Sequence, residues 1–163
     1  MEQPQQYLTF VLGGEVFAMG ILAIKEIIEY ADLTGVPMMP EYVRGVINLR
    51  GAVVPVIDLS VRFGKSPSPV TKRTCIVIIE VEVRNDHHVL GVVVDAVNAV
   101  LDIPAAEIEP PPAFGASIRT DFIRGMGKVG GKFVILLDVD HVLAADELDA
   151  LVDAQESAAG AAV

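Results

Sequence analysis

"VRGVINLRGAVVPVIDL" occupies residues 43–59, and eighty residues later the chain reads "IRGMGKVGGKFVILLDV" (123–139). The two stretches align without a gap: Arg44 falls on Arg124, Gly45 on Gly125, Gly51 on Gly131, Val54 on Val134 and Asp58 on Asp138. Each is a run of aliphatic and β-branched residues interrupted once by a glycine-bearing turn, which is the signature of a hairpin. A weaker echo at an offset of 73 sets "FAMGILAIKEI" (17–27) on "LGVVVDAVNAV" (90–100), with Ile21, Ile24 and Ile27 meeting Val94, Val97 and Val100. Self-similarity at a fixed offset means one supersecondary unit used twice. The expectation is a pseudo-symmetric pair of small β-units, one in each half of the chain.

The second copy also contains Gly125, Gly127 and Gly130, which satisfy G-x-G-x-x-G and are followed by Gly131-Lys132. A dinucleotide site needs a helix after these glycines, because the helix N-terminus holds the pyrophosphate. The residues after them are "KFVILLDV", apolar and β-branched, so the strand continues. A Walker loop fails as well: Phe133 stands where Ser or Thr would meet magnesium. The glycines are a turn shared by both repeats, and nucleotide binding is not indicated.

Composition fits this reading. The chain has 163 residues, enough for one domain of two lobes, and 52% of them are apolar with 6% aromatic and no Trp. Cys75, in the strand-like run "TCIVIIEVEV", is the single cysteine, so no disulfide or cysteine-based zinc site is available, and it reads as a small buried hydrophobe. The N-terminus lacks a signal-peptide layout and acids interrupt the long apolar runs, which suggests a soluble, cytoplasmic protein without membrane insertion. A net charge of −10 argues against nucleic acid as a partner. Residues 41–73 depart from it with Arg44, Arg50, Arg62, Lys65, Lys72 and Arg73 against Glu41 and Asp58; such a region either steers protein partners or is a set of solvated loop charges.

Along the chain, 1–6 reads as a disordered N-terminus. "YLTFVL" (7–12) and "VFAMGIL" (16–22) flank Gly13-Gly14 as a hairpin, and "IKEIIEY" (24–30) fits either a strand or a helical turn. The segment "GKSPSPVTK" (64–72) has linker composition and divides the domain, 7–152, into halves of 7–66 and 73–141. "AADELDALV" (144–152) is the clearest helix, and 153–163 reads as a flexible tail.

Candidate catalytic groups do not converge. His87 and His88 are adjacent and lack the i, i+4 spacing of a helical metal pair. Asp58 and Asp138 could form a carboxylate dyad, but their equivalence in the repeat points to a shared structural task such as capping a turn. No cofactor or metal is indicated. A ligand cleft between lobes would need inward polar groups, whereas the neighbouring strands supply Val, Ile and Leu. Arg50, in "NLRG" at a hairpin tip, either meets a carboxylate on a partner or is paired with Glu26 or Glu29 or solvated.

The patterns "FAMGILAIKEIIEY" and "PEYVRGVINLRGAVVPVIDLSVRFG", then "VDAV" and a second R-G hairpin, resemble the CheW family of bacterial chemotaxis adaptors over residues 7 to about 151. The resemblance implies two five-stranded SH3-like β-barrels with short helices and a C-terminal helix. It also implies a non-enzymatic scaffold that couples chemoreceptor tips to the histidine kinase CheA, either in chemotaxis or in a related system controlling pili or development. Carried over by motif, the receptor groove between the barrels takes Arg50, Glu26, Ile24 and Ile21, and the kinase surface takes Gly45 and Val46. Localisation would be cytoplasmic, with recruitment to membrane receptor arrays.

Overall fold

A computed structural model describes residues 5–31, 33–83, 85–110, 122–141 and Glu147. Eleven strands dominate these residues. They are β1 (Gln5–Leu12), β2 (Glu15–Gly20), β3 (Ile24–Glu29), β4 (Val43–Leu49), β5 (Ala52–Asp58), β6 (Cys75–Val83), β7 (Asp86–Val94), β8 (Ala96–Ile103), β9 (Ile108–Glu109), β10 (Ile123–Val129) and β11 (Lys132–Leu137). One helical turn, α1 (Leu59–Arg62), comes after β5. The fold is mainly β, in two sheets, as two SH3-like lobes require.

The strand orders are β8-β1-β2-β11-β10-β9 and β3-β6-β7-β5-β4. Set side by side they match strand for strand, β8 with β3, β1 with β6, β2 with β7, β11 with β5 and β10 with β4. The match reproduces both sequence offsets. It also corrects the expected division into halves 7–66 and 73–141, because neither half builds a lobe by itself. The β1–β2 hairpin of the first half pairs with β8 and β11 of the second, and the β6–β7 hairpin of the second pairs with β3 and β5 of the first. The lobes have exchanged their N-terminal hairpins.

The physical consequence is visible in burial. β1 and β6 are covered on both faces, which is why both read as continuous apolar runs instead of alternating ones. From β1, Leu8, Phe10 and Leu12 enter a core shared by both sheets while Tyr7 enters the core of its own lobe. From β6, Val77, Ile79 and Val81 enter the shared core, and Ile76 and Ile78 the core of the other lobe. An aromatic row runs through the shared core, Phe10 to Phe17 to Phe63 to Phe122, with centroids 6.0, 5.7 and 5.6 Å apart. Thr9 is the polar exception. Its buried hydroxyl donates to the Ala99 carbonyl at 3.0 Å and accepts from the Ala99 N–H at 3.1 Å, where the β1–β8 register slips.

Several boundaries moved. β1 starts at Gln5, inside the segment expected to be disordered, because Gln5 and Gln6 pair with Ile103 and Asp102 of β8. The ambiguous "IKEIIEY" is strand, held by β6, and the second hairpin strand ends at Gly20, with Ile21–Ala23 forming a 3-10 turn. The 64–72 linker is stitched down: the Ser60 hydroxyl donates to the Ser66 carbonyl at 2.6 Å, and the Ser68 N–H donates to Asp58 at 3.0 Å. Cys75 is half-buried rather than fully buried. Of the expected helix 144–152 only Glu147 is described, in helical conformation; the rest, with the expected tail 153–163 and residues 111–121, lies outside the described residues.

Candidate interaction site

The β4–β5 turn is two residues long, Arg50 (φ 51°) and Gly51 (φ 86°). Positive φ at both positions gives the turn twist that matches antiparallel strands. Asn48 steadies it, its side-chain oxygen accepting from the Gly51 N–H at 2.9 Å. The sister turn of β10–β11 uses glycine at both places, Gly130 (φ 58°) and Gly131 (φ 79°). A side chain in this region brings Cβ against the carbonyl, so Arg50 carries strain that the other repeat avoids. What the strain secures is position, since the Arg50 side chain stands 72% exposed at the tip.

Glu26 reaches that tip from β3. In the five-stranded sheet β3 and β4 are the two opposite ends, so the hydrogen bond that Arg50 Nη2 donates to Glu26 Oε2 links the open edges and closes the lobe. That bond, and secondarily the Glu26 charge, raise the Arg50 pKa above its ordinary value, keeping the guanidinium firmly protonated. Of the internal pairings considered from sequence, Glu26 is therefore the partner and not Glu29. A guanidinium offers five donors, so one bond to Glu26 leaves an exposed fork able to receive a carboxylate from outside.

One groove contains this pair, and a second, larger one shares only His87 with it. The smaller, about 430 Å³, has Glu26, Leu49, Arg50, Val54 and Val89 in its walls. The larger, about 1260 Å³, runs between the lobes past Ile21, Leu22, Glu80, Asp102, Arg124 and Asp138. His87 borders both, its Nδ1 3.8 Å from Glu80. The four residues assigned to one receptor groove are thus divided. Arg50 and Glu26 meet in the smaller groove, Ile21 lines the larger, and Ile24 is half-buried against the shared core. Sequence reading missed Leu22, 96% exposed beside Ile21; its pattern alone suggested a strand continuing to residue 22, not a 3-10 turn that turns Leu22 outward.

Gly45 and Val46, carried over as the kinase surface, have a structural setting of their own. Both are buried, Val46 at 6% exposure. Gly45 has φ 148° at a break in the β4–β5 register, and a Cβ there would lie 2.5 Å from the Thr34 carbonyl oxygen. Thr34 bridges Val46 through backbone hydrogen bonds of 3.0 and 2.9 Å. The glycine lets the 33–34 segment cover the β4 edge, a structural task.

The carboxylate dyad also dissolves. Asp58 ends β5 and Asp138 directly follows β11, in different sheets, each with its N–H donating to an equivalent carbonyl, Tyr42 at 2.7 Å and Phe122 at 2.8 Å. The Asp58 carboxylate is fully buried and occupied: it accepts from Ser60 N–H (3.0 Å), Val61 N–H (3.4 Å), Ser68 N–H (3.0 Å) and Arg44 Nη1 (3.1 Å). Asp138 instead meets His141 Nδ1 at 2.7 Å. The backbone bond is the common feature, and the Asp58 side chain in addition caps α1. His87 and His88 lie on successive positions of β7 and so face opposite sides, and no group of three or more potential metal ligands occurs among the described residues.

Most of the cationic 41–73 region is engaged internally. Arg44 bonds Asp58, Arg50 bonds Glu26, Lys65 meets Glu15 at 3.4 Å, and Arg62 grips Glu147 with two bonds of 2.8 and 2.7 Å. Arg62 is further held between the Tyr42 and Phe122 rings, each 5.0 Å from its guanidinium carbon. Lys72 and Arg73 remain exposed. The region mainly holds the fold.

Two sheets with exchanged hairpins, a shared core and a charged tip beside an interlobe groove define a class of paired-lobe β-proteins of SH3 type. The CheW-like domain model matches residues 6–147. The chemotaxis protein CheW of Klebsiella aerogenes is 36% identical over 149 residues, 91% of this chain and 87% of the relative. CheW of Rhizobium meliloti is 34% identical, covering 90% and 92%. Among solved structures, the scaffolding protein TtCheW of Thermoanaerobacter tengcongensis superposes with a TM-score of 0.79 at 32% identity, over 90% of this chain and 92% of that one. The chain belongs to the CheW-like family of chemotaxis proteins. Among the described residues no helix is long and apolar enough to cross a membrane.

Proposed function

We propose that this protein is a non-catalytic adaptor that couples chemoreceptor tips to the histidine kinase CheA, working in the cytoplasm at membrane receptor arrays. The observation that carries the site assignment is Arg50: a strained, exposed arginine where the sister turn uses glycine. Strain held at a solvent-facing tip, where the guanidinium has donors beyond its bond to Glu26, supports a contact made outside the chain. Arg50 and Glu26 are the charged contacts. Ile21 supplies an apolar contact from the larger groove, and Ile24 braces β3 from beneath. A helical hairpin tip laid across the two grooves would meet apolar anchors and a charged rim, as in other helix-in-groove complexes. An interface this small is individually weak and gains strength from the multivalency of an array.

The test is binding of a receptor signalling tip, and separately of the CheA regulatory domain, to the native protein and to Arg50→Ala and Arg50→Gly. Both variants remove the side chain, and Arg50→Gly also restores the turn chemistry of Gly130. The expected result is loss of the receptor tip from both, unchanged kinase binding, and a melting temperature for Arg50→Gly no lower than that of the native chain. Undiminished receptor binding by both variants refutes the assignment of Arg50.

A further inference from the structure

The β10–β11 tip is the structural twin of the Arg50 tip, yet its side chains have diverged in a coherent way. Its turn is relaxed, Gly130 and Gly131 taking the positive φ values. Next to it Phe133 is 52% exposed, the bulkiest exposed aromatic surface among the described residues. The cross-strand register pairs Phe133 with Lys128 and Val129 with Lys132, so a lysine stands opposite the ring on one face and another lies on the reverse face. Both lysines are exposed, and neither has an ion-pair partner among the described residues. The acids flanking it along the sheet are Glu15 of β2, two residues before the Phe17 that pairs with Ile135 and engaged by Lys65 at 3.4 Å, and Glu109 of β9, which pairs with Met126 two residues before Lys128.

In a chain of net charge −10 this is an unusual place. Lys72 and Arg73 are exposed as well, but here Lys128 stands beside an exposed aromatic ring, with Lys132 on the reverse face of the same tip. An exposed Phe on a strand is not needed for the fold, since the lobe's interior is filled by Val134 and Leu136 of the same strand. The repeat offers a direct comparison: the position matching Phe133 is Val53, and the positions matching Lys128 and Lys132 are Asn48 and Ala52. The first tip thus has one arginine paired to an acid, and the second has an aromatic anchor with two unpaired lysines.

We infer that the β10–β11 tip is a second docking surface, separate from the Arg50 tip, that takes an acidic segment of a protein partner with an apolar side chain seated on Phe133. The two lysines supply the charge match and the on-rate; the ring supplies the buried area that holds the complex. Opposite charge selects the occupant. A basic segment would meet Lys128 and Lys132 with like charge, and an acidic one with opposite charge.

The probe is a synthetic peptide of alternating Glu and Leu, with a Lys–Leu peptide of the same length as its counterpart, titrated into the full chain while backbone amide NMR shifts are followed. The expected result is shifts centred on residues 128–133 with the Glu peptide alone, weakening several-fold when salt is raised from about 50 to about 200 mM. The double variant Lys128→Glu/Lys132→Glu should abolish them, and Phe133→Ser should weaken them about ten-fold. All three positions are exposed, so the variants should keep the native spectrum elsewhere. Shifts that fall on the Arg50 tip instead, an equal response to the Lys peptide, or no response at millimolar peptide each overturn the proposal. The Arg50→Ala variant should bind the Glu peptide as the native chain does, so this result stands or falls apart from the receptor assignment.

Discussion

Replacing Asp58 by Ala, and Asp138 by Ala in parallel, asks whether two residues equivalent by sequence are equivalent in energy. Asp58 is fully buried and serves four donors, three backbone N–H groups and the Arg44 guanidinium. Loss of the cap to α1 costs about 1 kcal/mol. Breaking a buried ion pair by removing one member costs about 3–5 kcal/mol, because the other charge is stranded. Here the lower end applies. Arg44 is 20% exposed, still donates to the Ser68 carbonyl at 2.9 Å and still lies over the Tyr30 ring at 5.2 Å. These contributions overlap within one network, so the whole comes to about 3 kcal/mol, below their sum of about 4. Asp138 is 31% exposed with His141 as its side-chain partner on the surface, and its loss should cost about 1 kcal/mol or less. For a chain of this size 1 kcal/mol moves the melting temperature by about 2–4 °C, so Asp58→Ala should melt about 10 °C low and Asp138→Ala within a few degrees of native. Urea unfolding followed by circular dichroism, with unchanged m-values, measures both. Equal costs for the two, or a cost under about 1.5 kcal/mol for Asp58→Ala, would refute the claim that the first repeat alone uses its aspartate as a buried hub.

Two further outcomes rest on the fold. Burial, and secondarily the charge of Glu29, push the Cys75 thiol above its ordinary pKa. Its neutral form is the one favoured by folding, so whatever stability it contributes is present at neutral pH and is lost only as pH rises through the raised value. Alkylation of the native chain at about pH 7–8 should accordingly run slower than that of a free thiol, and equal rates would contradict the burial. Cutting the chain in the 64–72 loop tests the hairpin exchange, since each fragment lacks the strands that flank its own hairpin. Fragments 5–66 and 73–163 should each be unfolded alone and should assemble one to one when mixed; cooperative melting of either fragment alone would show that a lobe closes within one half.

How much of this was legible in the sequence depends on the range of the cause. The hairpins at Gly13-Gly14, Arg50-Gly51 and Gly130-Gly131 were readable because turn chemistry is local, set by positive φ at two adjacent residues. The equivalence of Asp58 and Asp138 was readable as a shared structural task, because the repeat placed both at the end of the same strand pattern. Which half each hairpin joins was not readable. β1–β2 has the same local sequence requirements whether it pairs with β3 or with β8, and only the shared core decides. The burial of Gly45 and Val46 was hidden for a similar reason: a motif near a turn suggests a surface, and the cover provided by Thr34 from a distant loop is invisible in spacing. Arg62 carried no signal at all, since its partner Glu147 lies 85 residues away.

The exchange bears directly on what an adaptor must do. If each half closed its own lobe, the two would meet through a side-chain interface and could rock, as domains joined by modest contacts do. With the hairpins exchanged, every lobe is held by backbone ladders from both halves, including the parallel pairs Val56–Gly91 and Ile135–Phe17 that join the units in each sheet. Gly91 shows how tight that join is: a Cβ there would lie 2.9 Å from Ile76 Cγ2 and 3.2 Å from Val56 Cγ2. Turning one lobe against the other would break ladder hydrogen bonds and open the Phe10–Phe17–Phe63–Phe122 row in the same motion. The Arg50 tip and the Phe133 tip are therefore fixed in distance and direction, one on each lobe of a single interlocked body. For the proposed adaptor role, that fixed geometry is the property through which a contact at one tip can determine where the other is presented.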